Sequence, residues 1–233
     1  MDRYRNIRAQ AFECNRRIPE LGLAIYTFGN VSAFDPDLGV FAIKPSGVPY
    51  LELTAQAMVV VDLDNKVVSG SLRPSSDTPT HTVLYRFLKG IGGVAHTHST
   101  YAVAWAQARR SIPIYGTTHA DHLADNIPCT EEMTDEMIKG NYETETGNQI
   151  IELFKELSPQ EIEMVLVACH GPFSWGATAE KALYNSAVLE EVAHMAFLTE
   201  SINSSISPIK QSLIDKHYQR KHGADAYYGQ SNI

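Results

Sequence analysis

Cysteine is scarce: Cys14, Cys129 and Cys169 are the only three in 233 residues. An odd, widely spaced set does not make a disulfide framework and suits a reducing compartment. No apolar run approaches the roughly 18 residues needed to span a bilayer. The opening Met1-Asp2-Arg3-Tyr4-Arg5-Asn6 is charged and is not followed by a hydrophobic region of the signal-peptide kind. A cytoplasmic protein with no membrane partner is expected. Basic charge is in deficit as well, 19 Lys and Arg against 27 Asp and Glu for a net −8. That balance argues against nucleic acid as the main ligand, and any anionic substrate needs a local positive site. There is no internal repeat, low-complexity tract or Pro/Gly/Ser linker, so one domain over residues 1–233 is expected. What remains is ordinary globular composition, 44% hydrophobic and 20% charged, enough for one sizeable core.

Helices and strands alternate along the chain. Tyr4, Ile7, Ala11, Cys14 and Ile18 recur at three and four, which predicts an amphipathic helix stopping before Pro19. Strands are predicted near Leu23–Thr27, Val40–Lys44, Met58–Asp62, Lys66–Ser69, Val94–His98 and Met164–Cys169, with Asp64-Asn65 as a hairpin turn. Helices are predicted at Thr78–Lys89, Thr100–Arg109, Thr144–Leu157, Thr178–Ile202 and Pro208–His222. A layered α/β domain with an antiparallel component follows.

Four metal-type ligands stand in three places: Asp77 in Ser75-Ser76-Asp77-Thr78, His96 and His98 in His96-Thr97-His98, and His170 in Cys169-His170-Gly171. On a strand, a period of two points both imidazoles of His-x-His to one face, where they can share an ion. His170 follows the buried run Met164–Cys169, at a strand end. A tetrahedral zinc takes neutral imidazoles at roughly 2.0–2.1 Å and accepts a carboxylate to complete its shell. Asp77 also precedes Thr78-Pro79 at a helix start, so the residues alone leave both a cap and a ligand open to it. Cys169 is expected to face away from His170 and pack in the interior.

Six segments carry a wider resemblance: Thr27-Phe28-Gly29-Asn30-Val31-Ser32, Ile43-Lys44-Pro45-Ser46-Gly47-Val48, Pro74–His81, His96-Thr97-His98-Ser99, Gly116–Asp121 and His170-Gly171-Pro172-Phe173. With the tail Lys216-His217-Tyr218, Arg220–Gly223 and Ala226–Gln230, they resemble the L-ribulose-5-phosphate 4-epimerases of the class II sugar-phosphate aldolase and epimerase family. The resemblance covers essentially the whole chain. It implies an α/β/α fold around a largely antiparallel sheet, a C4 homotetramer, and one zinc per subunit, with manganese or cobalt as substitutes. It implies Asp77, His96, His98 and His170 as the ligands. Asp121 and Tyr228 are implied as the acid/base pair, the tyrosine arriving from a neighbouring subunit on a tail spanning about 208–233. Ser46, Gly47, Ser75 and Ser76 map to phosphate binding, with Asn30 and Lys44 as further substrate contacts and His217 and Arg220 in support.

The implied substrate is a phosphorylated ketopentose, and the implied reaction is retro-aldol cleavage of C3–C4 followed by re-addition. C4 is not next to the carbonyl, so direct loss of its C–H proton is hard. Bond cleavage leaves a dihydroxyacetone enediolate and glycolaldehyde phosphate, and re-joining on the other aldehyde face inverts C4. Zinc on the C2 and C3 oxygens would hold the developing charge.

Plainer roles exist for several of these residues. Asp121 also suits a helix cap, a C-terminal Tyr-Tyr suits packing, Ser/Gly loops suit turns, and Lys216, Arg220 and Lys221 suit the dipole of a helix end. His122-Leu123, Tyr101 and Cys169 depart from the usual epimerase pattern and put sugar specificity in doubt. Two other functions compete: a class II aldolase that releases its products, as with fuculose 1-phosphate, and a non-catalytic scaffold like the adducin head. Glutamate usually replaces Asp77 in the aldolase, and the scaffold typically lacks the metal ligands.

Overall fold

The computed structural model describes residues 2–223 and Ala226. Seven strands form one sheet: β1 (Asn30–Asp35), β2 (Val40–Ile43), β3 (Val59–Asp62), β4 (Val67–Ser69), β5 (Gly93–His96), β6 (Met164–Val167) and β7 (Gly171–Gly176). Their order is β4-β3-β2-β1-β5-β7-β6, and every pairing is antiparallel. The helices are α1 (Arg5–Glu20), α2 (Thr78–Phe87), α3 (Thr100–Gln107), α4 (Thr117–Ala120), α5 (Asp135–Lys139), α6 (Tyr142–Leu153), α7 (Ala179–Ile202) and α8 (Gln211–His222).

Period-two alternation sorts strand side chains to the two faces. Val40, Ala42, Val60 and Ala95 pack with Ile7, Ala11 and Ile18 of α1 and Ala182 and Leu183 of α7. Phe41, Ile43, Val59, Val61 and Val94 face the other way, onto Leu84 and Tyr85 of α2 and Ile150 of α6. A third cluster joins α3, α7 and Ile214 of α8 to Met164 and Leu166 of β6. The result is the expected α/β/α layering.

The differences from the sequence reading have local causes. Helix α1 does not stop before Pro19 but runs through it to Glu20. A Schellman closure carries it: Leu23 N–H donates to the Ile18 carbonyl and Gly22 N–H to the Pro19 carbonyl, with Gly22 at φ +69°. Leu23–Thr27 is not a strand. Leu23 and Ala24 are buried while Ile25 and Tyr26 are exposed, so burial there does not alternate, and Tyr26 has φ +54°. The strand begins at Asn30 instead. Strands β1 and β7 went unanticipated: one mixes Asn, Ser and Asp with apolar residues, and the other is bounded by glycines and carries Pro172. Strand β5 ends at His96, leaving His98 past the ladder, and β6 ends at Val167. Helix α6 starts at Tyr142, two residues early, and α8 starts at Gln211 rather than Pro208.

Candidate metal centre and substrate cleft

Register across three central strands builds the centre. His96 pairs with Asn30 of β1 on one side and with Phe173 of β7 on the other, placing the three side chains in one row on the α2 face. Gly29 makes the row achievable. It has φ +78°, and a Cβ there would meet the His96 carbonyl oxygen at 2.8 Å. The His96 ring stacks on Phe173, centroids 4.2 Å apart and planes 14° apart. His96 Nδ1–H donates to the Pro172 carbonyl at 2.9 Å, which leaves the Nε2 lone pair for the site.

His98 follows the end of β5, and its Nε2 stands 3.1 Å from His96 Nε2. His170 sits in the turn between β6 and β7, with Nδ1 3.4 Å from the Tyr142 hydroxyl. Ligand nitrogens of His96, His98 and His170 all lie within 4.8 Å of one another. A tetrahedral zinc at roughly 2.0–2.1 Å separates its nitrogens by about 3.3 Å, so the spacing fits such an ion. Burial, reinforced by His96, lowers the pKa of His170 to about 4 and that of His98 below the ordinary imidazole value. Both present neutral nitrogens near pH 7, the form that binds a metal.

Asp77 does not cap α2 with its side chain. Its Oδ2 accepts from Asn30 Nδ2 at 2.6 Å and from Ser75 Oγ at 3.3 Å. Burial opposes its ionisation, but His96, His81 and the Asn30 hydrogen bond together hold the carboxyl below the usual range. One carboxylate beside three imidazoles is a donor set suited to a divalent cation, although Asp77 stands outside the group of mutually close ligand atoms.

Cys169 contradicts its expected burial. It is exposed, with φ +61°, because it lies in the β6–β7 turn rather than on the strand.

Beside the imidazoles opens a cleft of about 410 Å³, lined among others by Asn30, Lys44, Ser46, Gly47, Ser75, Ser76, Asp77, His98 and His170. Two loops clasp to form its floor: Pro45 bridges Pro74, Ser46 N–H donates to the Arg73 carbonyl, and Ser75 N–H donates to the Lys44 carbonyl. Gly47, at φ +70°, turns the first loop. Lys44 lines the cleft as well. Its Nζ donates to the Thr27 carbonyl at 3.2 Å, and burial pulls its pKa to about 8 against the opposing pull of Asp77. Asn30 Oδ1 is buried without a partner among the described residues, an acceptor left for a ligand hydroxyl.

Tyr142 and Glu143 also line the cleft. The sequence reading missed them because it began their helix at Thr144; the turn ending at Asn141 was the available signal. His81 was missed too. It is wholly buried under the site, and its Nε2 has no partner among the described residues. Leaving such a buried polar atom unpaired costs about 1–3 kcal/mol.

Asp121 lies outside this cleft. It ends α4, accepting from Arg220 Nε at 3.0 Å, from Arg220 Nη2 at 2.7 Å and from His217 Nδ1 at 2.9 Å, all on α8. Partial burial opposes ionisation, but these bonds and nearby Lys221 lower its pKa to about 2. His217 and Arg220 thus serve the chain's own Asp121. Tyr228 lies outside the described residues. No described helix is long and apolar enough to cross a membrane.

Known proteins share this architecture. The family model described as Class II Aldolase and Adducin N-terminal domain matches residues 9–197. The L-ribulose-5-phosphate 4-epimerase UlaF of Salmonella paratyphi B is 50% identical over 224 residues, covering 96% of this chain and 98% of that protein. A solved L-fuculose 1-phosphate aldolase superposes with TM-score 0.76 at 22% identity, over 91% of this chain and 94% of its own. An L-fuculose-1-phosphate aldolase from Thermus thermophilus superposes with TM-score 0.67 at 22% identity, over 87% and 100%. Both structures share the fold. The chain belongs to the class II aldolase and adducin N-terminal domain family.

Proposed function

We propose that this chain interconverts L-ribulose 5-phosphate and D-xylulose 5-phosphate, as a zinc-dependent cytoplasmic homotetramer of single-domain subunits. The observation that carries the reading is the convergence of His96, His98 and His170 at the edge of a cleft lined by Lys44, Ser46, Gly47, Ser75 and Ser76. The epimerase relative at 50% identity supports the substrate class.

The three imidazoles, with Asp77, would hold the ion, which when bound supplies electrostatic stabilisation of negative charge on the sugar oxygens. Lys44 and the Ser46 and Ser75 loops bind the phosphate, and Asn30 Oδ1 takes a sugar hydroxyl. A base accepts the C4 hydroxyl proton; the O–H electrons form the aldehyde, and the C3–C4 pair moves to C3. After the aldehyde turns, the bond re-forms on its other face and the new alkoxide takes a proton from an acid opposite. Asp121 and Tyr228 are our acid/base pair, reaching the cleft from a neighbouring subunit. Two observations support assembly: Asp121 is absent from its own chain's cleft, and Ile25, Tyr26 and Phe28 expose apolar surface beside it.

A coupled assay for xylulose 5-phosphate, run beside an aldolase assay on fuculose 1-phosphate, separates this reading from a product-releasing aldolase; activity in neither favours the adducin-like scaffold. In deuterium oxide the xylulose 5-phosphate should carry no deuterium at C4. Incorporation there would mean proton abstraction from carbon and end the retro-aldol reading.

A further inference from the structure

Beyond the Gly47 turn the chain delivers Tyr50, which opens the single helical turn Tyr50–Glu52. Its neighbour Leu51 is fully exposed, whereas Tyr50 is buried and belongs with Leu23, Ala24 and Leu53 to the core on the α1 side. The Tyr50 hydroxyl donates to the Phe28 carbonyl at 2.6 Å and to the Gly29 carbonyl at 3.0 Å. A carbonyl only accepts, so the direction of both bonds is fixed. Burial, with Asp77 adding to it, raises the Tyr50 pKa, and the phenol stays a neutral donor. Phe28 and Gly29 line the cleft, so these bonds anchor the ring to the segment that leads into Asn30.

The Lys44 ammonium lies over this ring, with Nζ 5.1 Å from the centroid. A cation so placed is attracted by the ring quadrupole, more strongly where water is excluded, and Lys44 is itself buried. Its Nζ also donates to the Thr27 carbonyl at 3.2 Å and to the Pro45 carbonyl at 3.4 Å. An ammonium has three N–H bonds, so one remains for a ligand. A carboxylate in the place of the ring would neutralise the ammonium; a ring face holds it and leaves its charge for an anion.

We propose that Tyr50 is a positioning residue for phosphate binding: its anchored ring face holds the Lys44 ammonium at the wall of the cleft. This rests on the reading of Lys44 as a phosphate contact. Tyr50 is not among the residues that line the cleft, and it acts through Lys44.

Inorganic phosphate, titrated at pH 7 into the full chain and followed by phosphorus-31 NMR, tests the proposal on Tyr50→Phe, Tyr50→Leu, Lys44→Met and the Lys44→Met/Tyr50→Leu double variant. Tyr50→Phe keeps the ring and should bind within about twofold of wild type, whereas Tyr50→Leu should bind about fivefold more weakly. Lys44→Met should bind about tenfold more weakly, and adding Tyr50→Leu to it should change little, because the ring has no ammonium left to hold. A loss from Tyr50→Leu that is the same with and without Lys44, or no loss at all, would overturn the positioning role while leaving Lys44 as the phosphate contact. Wild-type affinity in Lys44→Met would remove that reading and the proposal together. Should Tyr50→Leu fail to fold, Tyr50→Phe carrying one, two or three ring fluorines decides, since fluorine weakens the quadrupole and keeps the shape. Affinity falling with each fluorine supports the proposal, and a flat series overturns it.

Discussion

Gly93→Ala should damage the metal centre from the far end of its strand. A Cβ on Gly93 would stand 2.3 Å from Ala179 Cα, 2.5 Å from Ala179 N and 2.6 Å from Thr178 O, all backbone. Carbon atoms rest at about 3.5–4.0 Å, so the first turn of α7 must retreat by more than about 1 Å or β5 must slide. Helix α7 is pinned by buried residues from Ala179 to Ala196, which leaves little room to retreat. Overpacking costs about 1–3 kcal/mol, and three backbone contacts put this site near the top, about 3 kcal/mol. For a chain of this size that lowers Tm by about 6–12 °C. His96 lies three residues further along β5, and a shift of its ring should weaken zinc binding about tenfold. Calorimetry of the metal-free protein and chelator competition read the two effects. Gly116→Ala is the control, because a Cβ there meets nothing within 4 Å. A Gly93→Ala protein with the Tm and zinc affinity of wild type would refute the backbone-to-backbone contact and its link to the site.

Three further outcomes are expected. His96→Ala should lose most of its zinc while keeping its far-UV circular dichroism, and should destabilise the apoprotein by about 2–4 kcal/mol through lost stacking on Phe173 and an unpaired Pro172 carbonyl; full metal occupancy would remove His96 from the centre. Inorganic phosphate should inhibit less well as pH rises through about 8, where Lys44 gives up its charge. Lys44→Met should flatten that profile and weaken inhibition at pH 7 about tenfold, read as a Ki series; an unchanged profile would exclude Lys44 as the cation. For Asp121, a lowered pKa adds stability above the unfolded value near 4, lost as pH falls toward about 2. Arg220→Met should therefore cost about 1–2 kcal/mol at pH 7 after solvent screening, shrinking below pH 4 in urea titrations; a cost independent of pH would mean lost packing alone.

Much of the secondary structure was legible because it repeats locally. The Val83, Leu84, Phe87, Leu88 spacing announced α2, and Asp64-Asn65 announced the β3–β4 hairpin, where Asn65 has φ +62°. Strands β1 and β7 were illegible for the same reason: Asn30–Asp35 lacks a clean alternation, and Gly171-Pro172 reads as a stop. Pro19 misled because a closure made after it, at Gly22, rescues the last turn. Asp121 looked like a cap or a catalyst, and its partners His217 and Arg220 lie 96 and 99 residues away.

By itself the sequence determined the candidate ligands, the Ser/Gly loops, the layered class and the family, since each is written in residue type and short spacing. Tertiary structure alone decided that Asn30, His96 and Phe173 share a row, that Ser32 of β1 meets the buried His81 ring, and that Asp121 turns away from the cleft toward α8. The reason is physical: hydrogen-bonded periodicity is local, whereas strand register and helix docking are set by burial across distant segments, and those distances determine which side chains meet.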